Sequence, residues 1–278
     1  MKKYLLIPLM LTCSMLYAQA YDPSLVITSN NPIQPEAGSE PGKTPRRGGT
    51  DVLLNGGMEI NGGDGSILIN DWTITNATGS LGGVASGSFV AYNTIVSPLG
   101  GQALELPTEG LFAAVSDTGG PTSNILYQDI AIPANGANLS CDIFFNNQSG
   151  ANINAGNLDW ESAPNQHARI DIMDPLAVVD DTGVGVLQNL FITEAMDPVS
   201  FSYSAFTANL SAFSNQTVRL RFAEVNNQNF QNFAVDNCSI VSFAPARPVP
   251  SLSLFGICIL VLSLLAFVYY YNNSRLKL

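Results

Sequence analysis

The 278-residue sequence is poor in groups that do chemistry. It has one histidine, His167, two tryptophans and four cysteines. A lone histidine without a partner at motif spacing, and no G-x-S-x-G or H-E-x-x-H run, leave out the familiar nucleophile-and-base and zinc-hydrolase signatures. Two carboxylates suffice for glycoside hydrolysis, but an acidic chain offers too many pairs for any one to signal it. Charge is scarce at 12% of residues and lopsided: 11 Lys and Arg stand against 22 Asp and Glu, net −11. Phosphate backbones need clustered Lys and Arg, so nucleic acid is not an expected partner. No amphipathic helical pattern of ten or more residues stands out. Apolar residues are not lacking, at 46%, so the chain has the means to build a core rather than stay disordered.

The two ends read as targeting segments. Residues 1–20 carry Lys2 and Lys3, an apolar run to Tyr17, and the small-x-small site Ala18-Gln19-Ala20, the pattern of a cleaved signal peptide. Residues 252–271 hold no charge and are long enough to cross a hydrocarbon core of about 30 Å as a helix. Tyr269, Tyr270 and Tyr271 then suit an aromatic belt, and Arg275 and Lys277 in the tail 272–278 place the C-terminus inside.

The C-terminal tail, Val249-Pro250-Ser251-Leu252 followed by the apolar run and a short basic end, resembles the IPTL-type relatives of the PEP-CTERM sorting signals of Gram-negative bacteria. The resemblance implies export through the inner membrane, at least transient anchoring, and recognition by a processing enzyme of the exosortase type. Delivery to the cell surface or extracellular matrix would follow.

Between the ends, residues 21–50 hold five prolines with Gly and Ser between them and read as a linker. Residues 244–251 read as a stiffer, Pro-rich spacer. Residues 51–243 read as one all-β domain, a sandwich or barrel. Leu139, Cys141, Ile143 and Phe145 alternate with Ser140, Asp142 and Phe144; Ala168, Ile170 and Ile172 alternate with Arg169 and Asp171; Val218, Leu220 and Phe222 alternate with Arg219 and Arg221. Further strands are expected near 72–76, 88–92, 111–116, 124–132, 187–193, 200–208 and 233–243. The domain has three basic residues against nineteen acidic ones, a balance of −16.

Asn55-Gly56-Gly57-Met58-Glu59 followed by Asp71-Trp72, together with Phe233-Ala234-Val235-Asp236-Asn237-Cys238-Ser239-Ile240, resembles the first and last strands of galactose-binding-like jelly rolls and many carbohydrate-binding modules. The resemblance implies a jelly-roll β-sandwich. It also implies a structural Ca²⁺ held by Glu59 and Asp236, residues 177 apart in sequence that a jelly roll brings together. The alternative is a surface carboxylate at Glu59 and an amide-capping one at Asp236. Asp64 and Asp180-Asp181 read as solvated loop charges.

Cys141 and Cys238 are the two cysteines left in the oxidised compartment. A disulfide joining the two layers of the sandwich is the simplest reading, and two separate buried thiols are the other. Sugars are held by aromatic faces with amide and carboxylate partners. Trp160, in a polar loop, with Tyr127 and Tyr92, are the candidate platform; Tyr203 is a further aromatic, and Trp72 reads as core. His167 opens an alternating strand and reads as structural. The expected function is a non-catalytic, surface-delivered module for extracellular or cell-surface glycan. A structural or adhesive matrix protein without a small ligand is the alternative, and a glycan-active hydrolase the third.

Overall fold

The computed structural model describes residues 50–76, 87–161, 163–244, 259 and 261–269. All belong to the second of two units into which the chain divides, Pro35–Leu278. Ten strands follow one another: β1 (Thr73–Asn76), β2 (Gly87–Tyr92), β3 (Ala113–Thr118), β4 (Thr122–Ala131), β5 (Ala137–Asn147), β6 (Gln166–Met173), β7 (Val186–Ile192), β8 (Ser200–Asn209), β9 (Thr217–Asn226) and β10 (Gln231–Ser242). Each expected strand is present, within four residues at either end. One 3₁₀ turn, Ser211–Phe213, interrupts the β8–β9 link.

The strands form two five-stranded antiparallel sheets, in the orders β1-β4-β9-β6-β7 and β2-β3-β10-β5-β8. The alternating residues explain why. Val218, Leu220 and Phe222 of β9 and Leu139, Cys141, Ile143 and Phe145 of β5 turn to one shared core, as period-2 chains with one buried face must. Aromatic rings run through that core: Trp72 to Phe222 at 5.9 Å, Phe222 to Phe233 at 6.3 Å, and Phe233 stacked on Phe191 at 6.2 Å.

Cys141 and Cys238 are disulfide-bonded, closing a span of 97 residues. The bond does not join the two layers. β5 and β10 are neighbours in one sheet, and their register slips between Asp236 and Ser239, where Cys238 sits. Both sulfurs therefore belong to the inner face of a single sheet, beside the bulge.

Residues 1–20, nearly all of the linker 21–50, the spacer from residue 245 with its motif Val249-Pro250-Ser251-Leu252, and the end 272–278 lie outside the described residues. Of the expected span 252–271, helix is described at 259 and over 261–269. Among the described residues no helix is long and apolar enough to cross a membrane.

Candidate functional site

The N-terminal motif is a structural clasp. The backbone around Asp51 bridges Val241, and Cys238 N donates to Gly56 O at 3.0 Å. A Cβ on Gly56 would lie 1.9 Å from Cys238 O, so only glycine allows the approach. Asn55, at φ 48°, donates from Nδ2 to Ile60 O and Asn70 O and accepts from Ile60 N, which closes the 55–72 loop on itself. Trp72 is buried, as expected of core, with Nε1 donating to Asn55 O.

The motif does reach the last strand, and Glu59 and Asp236 serve one loop, residues 108–112. Glu59 Oε1 accepts from the Leu111 and Phe112 amides, each at 2.8 Å. Asp236 Oδ2 accepts from Thr108 N at 2.6 Å, Glu109 N at 2.8 Å and Thr108 Oγ1 at 3.0 Å, and its Oδ1 accepts from Asn237 N. Burial pushes Asp236 up to about 6, while its amide donors pull the other way. Glu59 Oε1 and both Asp236 oxygens are turned to N–H and O–H groups, and as they stand they do not fit Ca²⁺. Among the described residues no three His, Cys, Asp or Glu side chains are grouped to hold a metal.

Of the three candidate platform residues, Tyr92 is misplaced. It is fully buried on the outer face of the β2-β3-β10-β5-β8 sheet, packed with Val90, Leu104, Val115 and Phe144. Its hydroxyl contacts Tyr203 Oη at 2.5 Å and donates to Glu105 O, and burial pushes the phenol up. The 93–106 loop covers it, which alternation within β2 could not reveal.

Tyr127 and Trp160 share a face. Both are half-buried on the outer face of the other sheet, packed on one small cluster of Ile125, Leu158, Ala223 and Val225. Tyr127 also lines a groove of about 580 Å³ between β4 and the N-terminal segment, with Leu54, Asp71, Thr73 and Asp129. The Arg219 guanidinium lies 4.2 Å from the centre of the Tyr127 ring, covering one of its faces, and forks onto Asp129 at 2.7 and 3.1 Å.

All three arginines of the domain lie on this face, and all three are occupied. Arg169 and Arg221 share Asp171, at 2.7 and 2.5 Å. Burial raises the Asp171 carboxyl, but the two guanidiniums outweigh it and hold it below the usual carboxylate range. Arg219 donates to Pro175 O and Ala177 O, and Arg221 to Val179 O and Asp181 O. The arginines thus pin the 174–185 loop across the sheet. Asp181 belongs to this loop, where its carboxylate accepts from Gly183 N and Gly185 N.

A second polar group lies between the sheets. Glu224 is fully buried and continues the inward register of Leu220 and Phe222. It accepts from Asn124 Nδ2 at 2.7 Å, Asn226 Nδ2 at 3.1 and 3.3 Å, and Gln231 Nε2 at 2.8 Å. Burial pushes it up to about 8, because amide donors only partly replace lost water. The inward parity of Glu224 was available in the sequence. His167 is buried on β6 with Nδ1 against Asn165 Oδ1, and burial with the nearby Arg169 lowers it to about 4, so it is neutral.

No protein-family model matches this chain, and no curated protein matches it. Among solved structures it is similar to the K3 cleaved adhesin domain of Lys-gingipain from Porphyromonas gingivalis, at 15% identity and TM-score 0.42 over 70% of this chain and 100% of that one. It is also similar to the module TmCBM61 in complex with β-1,4-galactotriose, at 11% identity and TM-score 0.40 over 70% and 99%. A cyclase of Fischerella sp. TAU aligns at 12% identity and TM-score 0.45 over 72% and 100%. Likeness this distant says nothing of what the present chain binds.

Proposed function

We propose that this chain is a non-catalytic jelly-roll module, exported and delivered to the cell surface, that binds extracellular or cell-surface glycan through the outer face of its β1-β4-β9-β6-β7 sheet. The observation that carries the reading is a pair of half-buried rings, Tyr127 and Trp160, on one outer-face apolar cluster, with Tyr127 lining a groove edged by Asp71, Thr73 and Asp129. Sugars need this combination: a ring for their C–H faces and acceptors for their hydroxyls. The groove holds no free cation among the described residues, since Arg219 is spent on Asp129 and on loop carbonyls. Neutral glycan therefore suits it better than acidic glycan.

The sequence-based targeting reading supplies the location: signal peptide, apolar segment and a tail addressed to an exosortase-type enzyme. Calcium forms no part of this reading, for the reason given by the carboxylate partners.

The test is a glycan array with the purified full chain. Saturable binding to neutral polysaccharide that is lost in Tyr127→Ala and Trp160→Ala supports the proposal. A blank array favours the matrix reading, and release of reducing sugar would revive the hydrolase.

A further inference from the structure

We propose that the pocket between the 119–121 and 227–230 turns binds a single small, neutral, hydroxyl-bearing ring, such as a monosaccharide or the end unit of a glycan chain. The proposal rests on the glycan reading above and adds a second site at the other end of β4 from the Tyr127 groove.

Both turns cross from one sheet to the other, β3 to β4 and β9 to β10, so they frame one end of the sandwich. The pocket holds about 150 Å³ and is lined by Thr118, Gly120, Asn226, Gln228 and Phe230 among others, none of them charged. Drug-sized pockets begin at roughly 300 Å³, so the guest is one ring.

The floor supplies an observation independent of the pocket's shape. Thr118 is fully buried, yet its hydroxyl has no partner. Asn226 lines the pocket and also donates to Glu224. Around that carboxylate, Asn124 Oδ1 and Gln231 Oε1 are likewise buried without partners. Each such group is destabilising until something pairs with it. Ordered water fills such places by default, and a guest hydroxyl displaces water without loss when it repeats the same bonds.

The chemistry of the walls selects the guest. Carboxamides present donors and acceptors together, and a hydroxyl is both as well. Phe230, 37% exposed, offers a flat apolar side. An anion would meet a domain of formal net charge −16. A cation would find the Glu224 oxygens already holding Asn124, Asn226 and Gln231 N–H groups.

The experiment is ligand-observed saturation-transfer NMR on the full chain with glucose, galactose and mannose, alongside Thr118→Val, Phe230→Ala and Tyr127→Ala. Thr118→Val removes a hydroxyl that has no partner in the free protein, so a purely structural Thr118 predicts unchanged binding. We expect transfer to at least one sugar, weakened about tenfold in Thr118→Val, lost in Phe230→Ala, and kept in Tyr127→Ala. Transfer that survives both Thr118→Val and Phe230→Ala overturns the site. So does the absence of transfer in the wild type. If polysaccharide is still retained through Tyr127 and Trp160 in that last case, the glycan reading stands and only this second site falls.

Discussion

Glu224 lies directly across from Asn124 in the β4–β9 register, and Asn124 Nδ2 donates to its carboxylate at 2.7 Å. Among the described residues no guanidinium or ammonium shares that interior; Arg169, Arg219 and Arg221 are paired on the outer face of the same sheet. The carboxyl is consequently held near 8, far above the ordinary 4.5. Because the folded value is raised, its contribution to stability is complete below 4.5 and is lost as pH rises through 8. His167 loses its charge below pH 7 in either state, and Asp236, held near 6, is ionised above it. Between pH 7 and 9, therefore, Glu224 dominates the change. Linkage gives a loss on the order of 1–2 kcal/mol over that interval, a few degrees in Tm for a domain of this size. Glu224→Gln should flatten the slope and leave the variant the more stable form at pH 9. A Tm equally steep in both would refute the assignment.

The Cys141–Cys238 bond closes a span of 97 residues. In the chain-entropy account, a loop of that length is worth about 4–5 kcal/mol at most. Reduction, or Cys141→Ala with Cys238→Ala, should lower the denaturant midpoint and steepen the slope, because the unfolded chain then expands. Mass spectrometry after alkylation should find no free thiol at either position before reductant is added.

Removing Arg221 should be costly, because it leaves Asp171 to Arg169 and Asn189 and frees Val179 O and Asp181 O together. Arg221→Met is expected to destabilise the domain by about 2–4 kcal/mol, from two loop carbonyls that lose charge-assisted partners. Limited proteolysis should then cut within 174–185 first. Cutting elsewhere, with that loop intact, would show that the arginines do not hold it.

Glu59 and Asp236 give a sharp chelation outcome. Their oxygens already accept from the amides of Thr108, Glu109, Leu111 and Phe112, so EDTA should leave Tm unchanged. Asp236→Ala should cost about 2–4 kcal/mol through the orphaned Thr108 and Glu109 amides. A Tm drop on EDTA that calcium restores would reinstate the metal.

Much of this architecture could be read in advance because half-buried strands write their faces into the sequence at period 2. Leu139 to Phe145 and Val218 to Phe222 announce both strand and inward face. Strand order is not written that way: alternation tells that Cys141 and Cys238 turn inward but not that β5 and β10 are neighbours, hence the mistaken inter-layer bond. Covering loops are equally silent, and the 93–106 loop removes Tyr92 from solvent although its strand looks like any other. The polar interior was legible and overlooked. Glu224 falls in step with Leu220 and Phe222, and Asn124 with Leu126, but a carboxylate among apolar neighbours is easily taken for a solvent-facing one.

The last strand is central in its sheet, flanked by β3 and β5, and the chain leaves it toward the C-terminal segment. If the molecule is tethered through that segment, tension enters at Ser242 and runs along β10. Four residues in, it meets the covalent cross-link at Cys238, which passes the load to the neighbouring strand. Peeling from this side would then stall at a sulfur bridge before it reaches the aromatic interior.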